Sequence, residues 1–218
     1  MNLGQNISPD FFSRKQLGCL PLEMTFLRIF LPSLLFFSFC KIQAQSKIEW
    51  SEEYTLQASD FKAPAPNTGT QQTIYPSTFI EYQFANYQVM FGNTNKVVSC
   101  SFQPLSSWLD DGPATEMLLR YAQATFDLSE LSARKLRKKF HENRMTLNAT
   151  KAEMYYSEVS EEMTALISRY AKETDFGNIQ EKQDEWEAYL QELLAEYANF
   201  CKGCKPPKKK KKKKKKKK

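Results

Sequence analysis

The stretch YAQATFDLSE, Tyr121 to Glu130, decides how the second half of this 218-residue chain is read. Tyr121 and Thr125 are four residues apart and share one face of a helix, which Met117 and Leu128 extend. On physical grounds alone this is core packing. Asp127 and Glu130 add carboxylates that fit a solvated or hydrogen-bonded flank of the same helix. The helix begins at the signal Asp110-Asp111-Gly112-Pro113, with proline suited to the first turn. It runs from Ala114 to about Phe140.

Upstream the period changes to two. Ile80, Tyr82 and Phe84 form one alternating set, Tyr87, Val89 and Phe91 a second, and Val98, Cys100 and Phe102 a third. Alternation of this kind marks half-buried strands. Gly92 and Asn93 mark a turn between the second and third sets, which gives a small antiparallel meander. KAPAPNTGTQQT, residues 62–73, is a loop by composition. Downstream, Thr150 and Glu153 form a capping box for a second helix. Its apolar face is Val159, Met163, Leu166, Ile167 and Tyr170. Asn178 and Glu181 start a third helix, with Trp186, Tyr189, Leu190, Leu193, Leu194 and Tyr197 at helical spacing. The expected class is α+β, a small antiparallel sheet packed with about three helices. The sheet part covers about 50–110 and the helical part about 113–200.

The formal net charge of +6 misleads. Eleven lysines at 208–218 and a net +2 in residues 1–44 exceed it, so residues 45–207 carry −7. An acidic body has no nucleic-acid footprint, and no specific nucleic-acid partner is expected. The apolar stretch LRIFLPSLLFFSFC, residues 27–40, is short for a membrane span and suits the apolar region of a secretory signal. Residues 1–45 therefore read as a signal segment with cleavage near 44–46, a retained membrane anchor being the alternative. The protein is expected to be exported, periplasmic or extracellular. Of five cysteines, Cys100, Cys201 and Cys204 would remain. CKGC, residues 201–204, supplies half a zinc site with no second pair, or a local disulfide, or free thiols near a frayed end. Residues 201–218 read as disordered. The lysine tail is a passive or adenine-run-encoded appendage, or a contact for anionic surfaces.

Four blocks carry a resemblance: SDF (59–61), SSW (106–108), LLRYAQATFDLSELSARKLRKKF (118–140) and YAKETDFGNIQEKQDEW (170–186). Together they resemble the bacterial domain-of-unknown-function family numbered 922, whose members look like secreted zinc-protease-like proteins, over roughly residues 50–195. In that family the longest block carries a histidine, a glutamate and a second histidine ahead of an FD pair. Those positions fall here on Tyr121, Ala122 and Thr125. The later block has a histidine before a glycine, and here it is Phe176 before Gly177. The framework is kept as Phe126, Asp127, Glu130, Ala133, Arg134 and Gly177.

The resemblance implies a zincin-like helix arrangement that has lost its metal ligands and its general base together, with no metal and no cofactor. The implied function is a non-catalytic exported protein whose remaining cleft binds a peptide or an envelope component. At Tyr121, Phe126 and Phe176 two readings stay open. These side chains either offer an apolar contact surface or fill the space a metal once held. A hydrolase using Asp127, Glu130, Glu173 and Asp175 is one alternative function, and a structural or oligomeric envelope protein is another. The single histidine, His141, lies at the far end of the helix and cannot build a three-ligand zinc site.

Overall fold

The switch of period between Phe102 and Thr115 is also where the fold changes from sheet to helix. The computed structural model describes residues 47–66, 72–83, 91–110 and 112–207. Among the described residues there are three α-helices: α1 at Thr115–Asn143, α2 at Ala149–Thr174 and α3 at Gln180–Glu196. Five short strands precede them: β1 at Ile48–Glu49, β2 at Ile74–Tyr75, β3 at Thr78–Tyr82, β4 at Val98–Phe102 and β5 at Trp108–Leu109. The fold is a small α+β arrangement, with antiparallel order β1-β4-β3 and a separate β2–β5 pair.

Ile80 faces Cys100 across β3 and β4, so two of the three alternating sets are antiparallel strands, but the first pairs directly with the third. The simple meander needs correction. The other neighbour of β4 is β1, with Ile48 opposite Phe102, and this pairing joins residues far apart in sequence. Phe84, Tyr87 and Val89 lie outside the described residues, and Phe91 is exposed.

α1 is the axis of the molecule. It is 29 residues long, about 44 Å at the standard rise, and most of it is buried. The sheet, α2, α3 and the turn at Thr94–Val97 all pack on it. That explains Ala122, Ala124, Ser129, Ser132 and Ala133, all buried: small side chains let neighbours approach on several sides. Against the sheet, Phe102 meets Phe126 at 6.1 Å and Tyr82 meets Phe140 edge-on at 5.6 Å. Thr78 and Ser129 join hydroxyls at 2.7 Å. α2 reaches the same sheet through Tyr156, whose hydroxyl donates to the Ile80 carbonyl at 3.2 Å.

Two helix starts differ from expectation. α2 is capped by Asn148, whose side chain accepts from the Lys151 amide, so the helix begins before Thr150. Glu153 is used elsewhere and accepts from the Tyr82 hydroxyl at 2.6 Å. At α3 the cap position is Ile179, without a side-chain bond. The Asn178 amide instead donates back to the Asp175 carbonyl, closing the reversal from α2. Asp175, Phe176 and Gly177 all have positive φ there, at 47°, 54° and 89°.

The expectation of a disordered CKGC segment is also corrected. Cys201 and Cys204 form a disulfide, and residues 199–207 are strapped to the body. The Cys204 carbonyl accepts from Asn93 at 2.8 Å and Asn95 at 3.2 Å, and Asn95 also donates to the Asn199 carbonyl. The Pro207 carbonyl lies 3.0 Å from His141 Nε2. A buried amide or guanidinium needs an acceptor, and this segment supplies them. The segment 1–45 and the lysines 208–218 lie outside the described residues. Among the described residues, no helix is long and apolar enough to cross a membrane.

Candidate functional site

Tyr121, Thr125 and Phe176 were singled out from two distant blocks, and two of them meet directly. The Tyr121 ring stacks on Tyr170 with centroids 5.0 Å apart and meets the edge of Phe176 at 6.3 Å. Tyr170 in turn meets Trp186 edge-on at 5.3 Å. Thr125, one turn further along α1, donates to the Tyr121 carbonyl at 2.9 Å. Tyr121, Ala122 and Thr125 are packed in the interior, and Phe176, half-buried, keeps part of its ring at the surface. None of the four lines either of the two clefts described below. Burial pushes the Tyr121 phenol up to about 12 and raises Tyr170 further, so both stay neutral and packed.

The framework residues are distributed over three tasks. Gly177 lets the α2–α3 reversal lie directly against Tyr121. Phe126 is core. Glu130, Arg134 and Arg137 form an enclosed ionic cluster, each no more than 2 % exposed. Glu130 Oε1 accepts from Arg137 at 2.7 Å and from Arg134 at 3.1 Å. The guanidiniums also hold backbone carbonyls: Arg134 that of Leu194, Arg137 those of Val98 and Phe200. The cluster thus ties α1 to β4, α3 and the C-terminal strap. Glu130 is committed to it and faces no solvent.

Asp127 is different. It is half-buried and lines a cleft of about 930 Å³, which runs between α1, α3 and the Thr55–Leu56 segment. Leu56, Leu119, Ala124 and Leu190 make its floor. Arg120 closes one end, gripping Glu187 with two bonds of 3.0 and 2.7 Å and Asp184 with one of 2.6 Å. Glu187 also accepts from Gln183, whose own carbonyl oxygen receives the Tyr170 hydroxyl, so the rim is braced on the aromatic stack. A second cleft of about 460 Å³, with Trp50, Tyr54 and Arg134 in its wall, shares Thr55, Gln123, Asp127 and Gln191 with the first. Asp127 therefore stands where the two join.

Trp50 and Gln123 both donate to Asp127 Oδ1, at 2.8 and 3.0 Å. Gln123 is itself fixed, because its carbonyl oxygen accepts from the Leu56 amide at 3.0 Å. Burial raises the Asp127 carboxyl above its usual range, against the lowering effect of these two bonds. Between the unfolded and folded values the folded protein holds a proton that the unfolded chain has lost. Stability therefore falls as pH rises through that interval and stays lowered at neutral pH. Asp127→Asn keeps the Oδ1 acceptor without the charge. We expect it to raise the urea midpoint at pH 7 and to leave it unchanged below about pH 3.5. A lower midpoint at pH 7 would mean that Arg134 beside it depends on the carboxylate.

Of the other two carboxylates, Glu173 accepts from Arg169 and from Trp186 on the outer side of α2, and Asp175 caps that helix. Neither lines the cleft that Asp127 lines. Among the described residues there is no group of three or more His, Cys, Asp or Glu side chains placed to hold a metal ion. The sequence did contain a signal for the cleft. Glu116, Arg120, Gln123 and Asp127 form a stripe on α1, and Asp184, Glu187 and Gln191 form one on α3. Polar stripes at helical spacing read as solvated faces, and the shared hollow emerges only when the helices are set side by side. The chain matches no protein-family model, no curated protein and no solved structure.

Proposed function

We propose that this is an exported, non-catalytic binding protein on a zincin-like arrangement of helices, with the ligand, a peptide or envelope component, in the cleft between α1 and α3. The observation that carries the reading is the cleft itself: about 930 Å³, apolar at its floor, and one helix face away from positions closed by aromatic packing. Hollows of that size with a few placed polar groups are the usual form of a binding site. The meeting of Tyr121 and Phe176 supports descent from a metal-binding ancestor, since ligand positions from two blocks would have to converge there. The Cys201–Cys204 disulfide supports an oxidising compartment.

Two measurements on the full chain test this. With Cys201 and Cys204 changed to serine to remove adventitious thiolate binding, elemental analysis is expected to find no stoichiometric zinc. One tightly held zinc per chain, with chelator-sensitive peptide cleavage, would falsify the non-catalytic reading. The neutral apolar dye Nile red is expected to bind saturably at one site and to lose that site in Ala188→Trp. Ala188 is an exposed cleft-lining residue, so the indole fills the hollow without entering the core. Unsaturable dye binding, or binding indifferent to the substitution, would remove the cleft from consideration.

A further inference from the structure

The cleft has a chemical polarity that narrows its occupant. Four carboxylates line it, Glu116, Asp127, Asp184 and Glu187. The cation in this lining, Arg120, is already held by two of them, and Arg134, in the wall of the second hollow, is held by Glu130 and Glu52. The body around it is acidic overall. Within this wall Asp127 is half-buried and stands at the junction of the two hollows. Both of its fixed bonds fall on Oδ1, and among the described residues no donor reaches Oδ2. An amide oxygen would serve Trp50 and Gln123 equally well. A half-buried carboxylate costs stability unless something pairs with it. Its free oxygen and its position indicate that the pairing group comes from outside.

The shape also constrains the occupant. From Glu116 to Asp127 the first cleft follows α1 for about 16 Å at the helical rise. An extended peptide covers that length with about five residues. The floor is apolar and the wall acidic, so the matching chain alternates apolar side chains with a basic one.

Resting on the assignment of the cleft as the binding site, we propose that its ligand is a cationic amphipathic peptide segment. An apolar side chain lies on the floor between Leu56, Leu119 and Leu190, and a lysine or arginine head pairs with Asp127 Oδ2.

The test uses the full chain in about 0.15 M salt, which screens the lysine tail from the probes. Two blocked hexapeptides, acetyl-Ala-Leu-Lys-Leu-Ala-Ala-amide and the same sequence with Nε-acetyl-lysine, are titrated calorimetrically. The lysyl peptide is expected to bind about ten-fold more tightly, the usual scale of a hydrogen bond to a charged group. In Asp127→Asn that preference is expected to fall to within about two-fold, with the acetylated peptide unchanged, and Ala188→Trp is expected to abolish both. Equal affinities in the native protein, or an undiminished preference in Asp127→Asn, would overturn the cationic-ligand proposal and leave the cleft as a binding site. Absence of saturable binding by either peptide, with Nile red also unbound, would overturn both. If n-hexylamine binds as tightly as the lysyl peptide and with the same dependence on Asp127, the site is one for small amines and the peptide assignment fails.

Discussion

Glu130→Gln is expected to lower the free energy of unfolding by about 3–5 kcal/mol. Among the described residues the carboxylate is the one buried anion paired with Arg134 and Arg137, its Oε1 accepting from both, while Glu52 reaches Arg134 from the exposed side at 3.2 Å. Glutamine keeps the shape but turns one oxygen into a donor facing two cations. Ordinary domains are stable by about 5–15 kcal/mol, so the loss is a large share of the total. A urea titration followed by far-ultraviolet circular dichroism reads it directly. A decrease below about 1 kcal/mol would show that Glu52 and the carbonyls of Val98, Leu194 and Phe200 are sufficient partners for the two guanidiniums. A loss on the expected scale would weaken any catalytic use of Glu130 on independent grounds. A residue that keeps two buried cations in place is not free to move a proton.

Gly177→Ala is the second large effect, expected to cost about 3 kcal/mol from positive-φ strain and overpacking together. Gly177 sits at φ +89°, and a Cβ there would lie 2.6 Å from the Tyr121 Cβ and 3.4 Å from the Met117 carbonyl oxygen. The first contact is with the root of a side chain on the central helix, which cannot swing aside. That detail makes a sharper experiment. In a Tyr121→Ala background the clash persists, because alanine retains the Cβ, and Gly177→Ala is expected to remain costly. In a Tyr121→Gly background the clash disappears, and the penalty of Gly177→Ala is expected to shrink to the backbone strain alone. A double-mutant cycle by chemical denaturation separates the two cases. Equal penalties in all three backgrounds would mean that the reversal moves away from α1.

The residues explain which parts of the fold could be read from sequence. α1 was legible because it is long and its period is sustained. β3 and β4 were legible because alternation survives wherever one sheet face is buried. The neighbour of β4 was not legible: β1 contributes two residues, too few for any period, and it pairs across some fifty positions. The cap of α2 was misplaced because Asn148 and Thr150 are both good capping residues, and only the backbone of Lys151 chooses between them. At the site, Tyr121, Thr125 and Phe176 could be named from the blocks that hold them, but whether they opened outward or packed inward depended on Tyr170 and Trp186. Asp127 was visible as a carboxylate. Its distinction from Glu130 was not, since three residues along one helix separate a cleft wall from an enclosed ion cluster.

The strap at the C-terminal end also bears on how this chain becomes folded during synthesis. Arg134 and Arg137 are made in the middle of the chain, yet the carbonyls they hold at Leu194 and Phe200 are made about sixty residues later. Asn95 waits longer still, for the carbonyls of Asn199 and Cys204. Until those later residues are present, the central cations of α1 lack part of their final coordination. The native interior is closed by nearly the last residues of the described body, so the final coordination of these side chains forms only after those residues have been made.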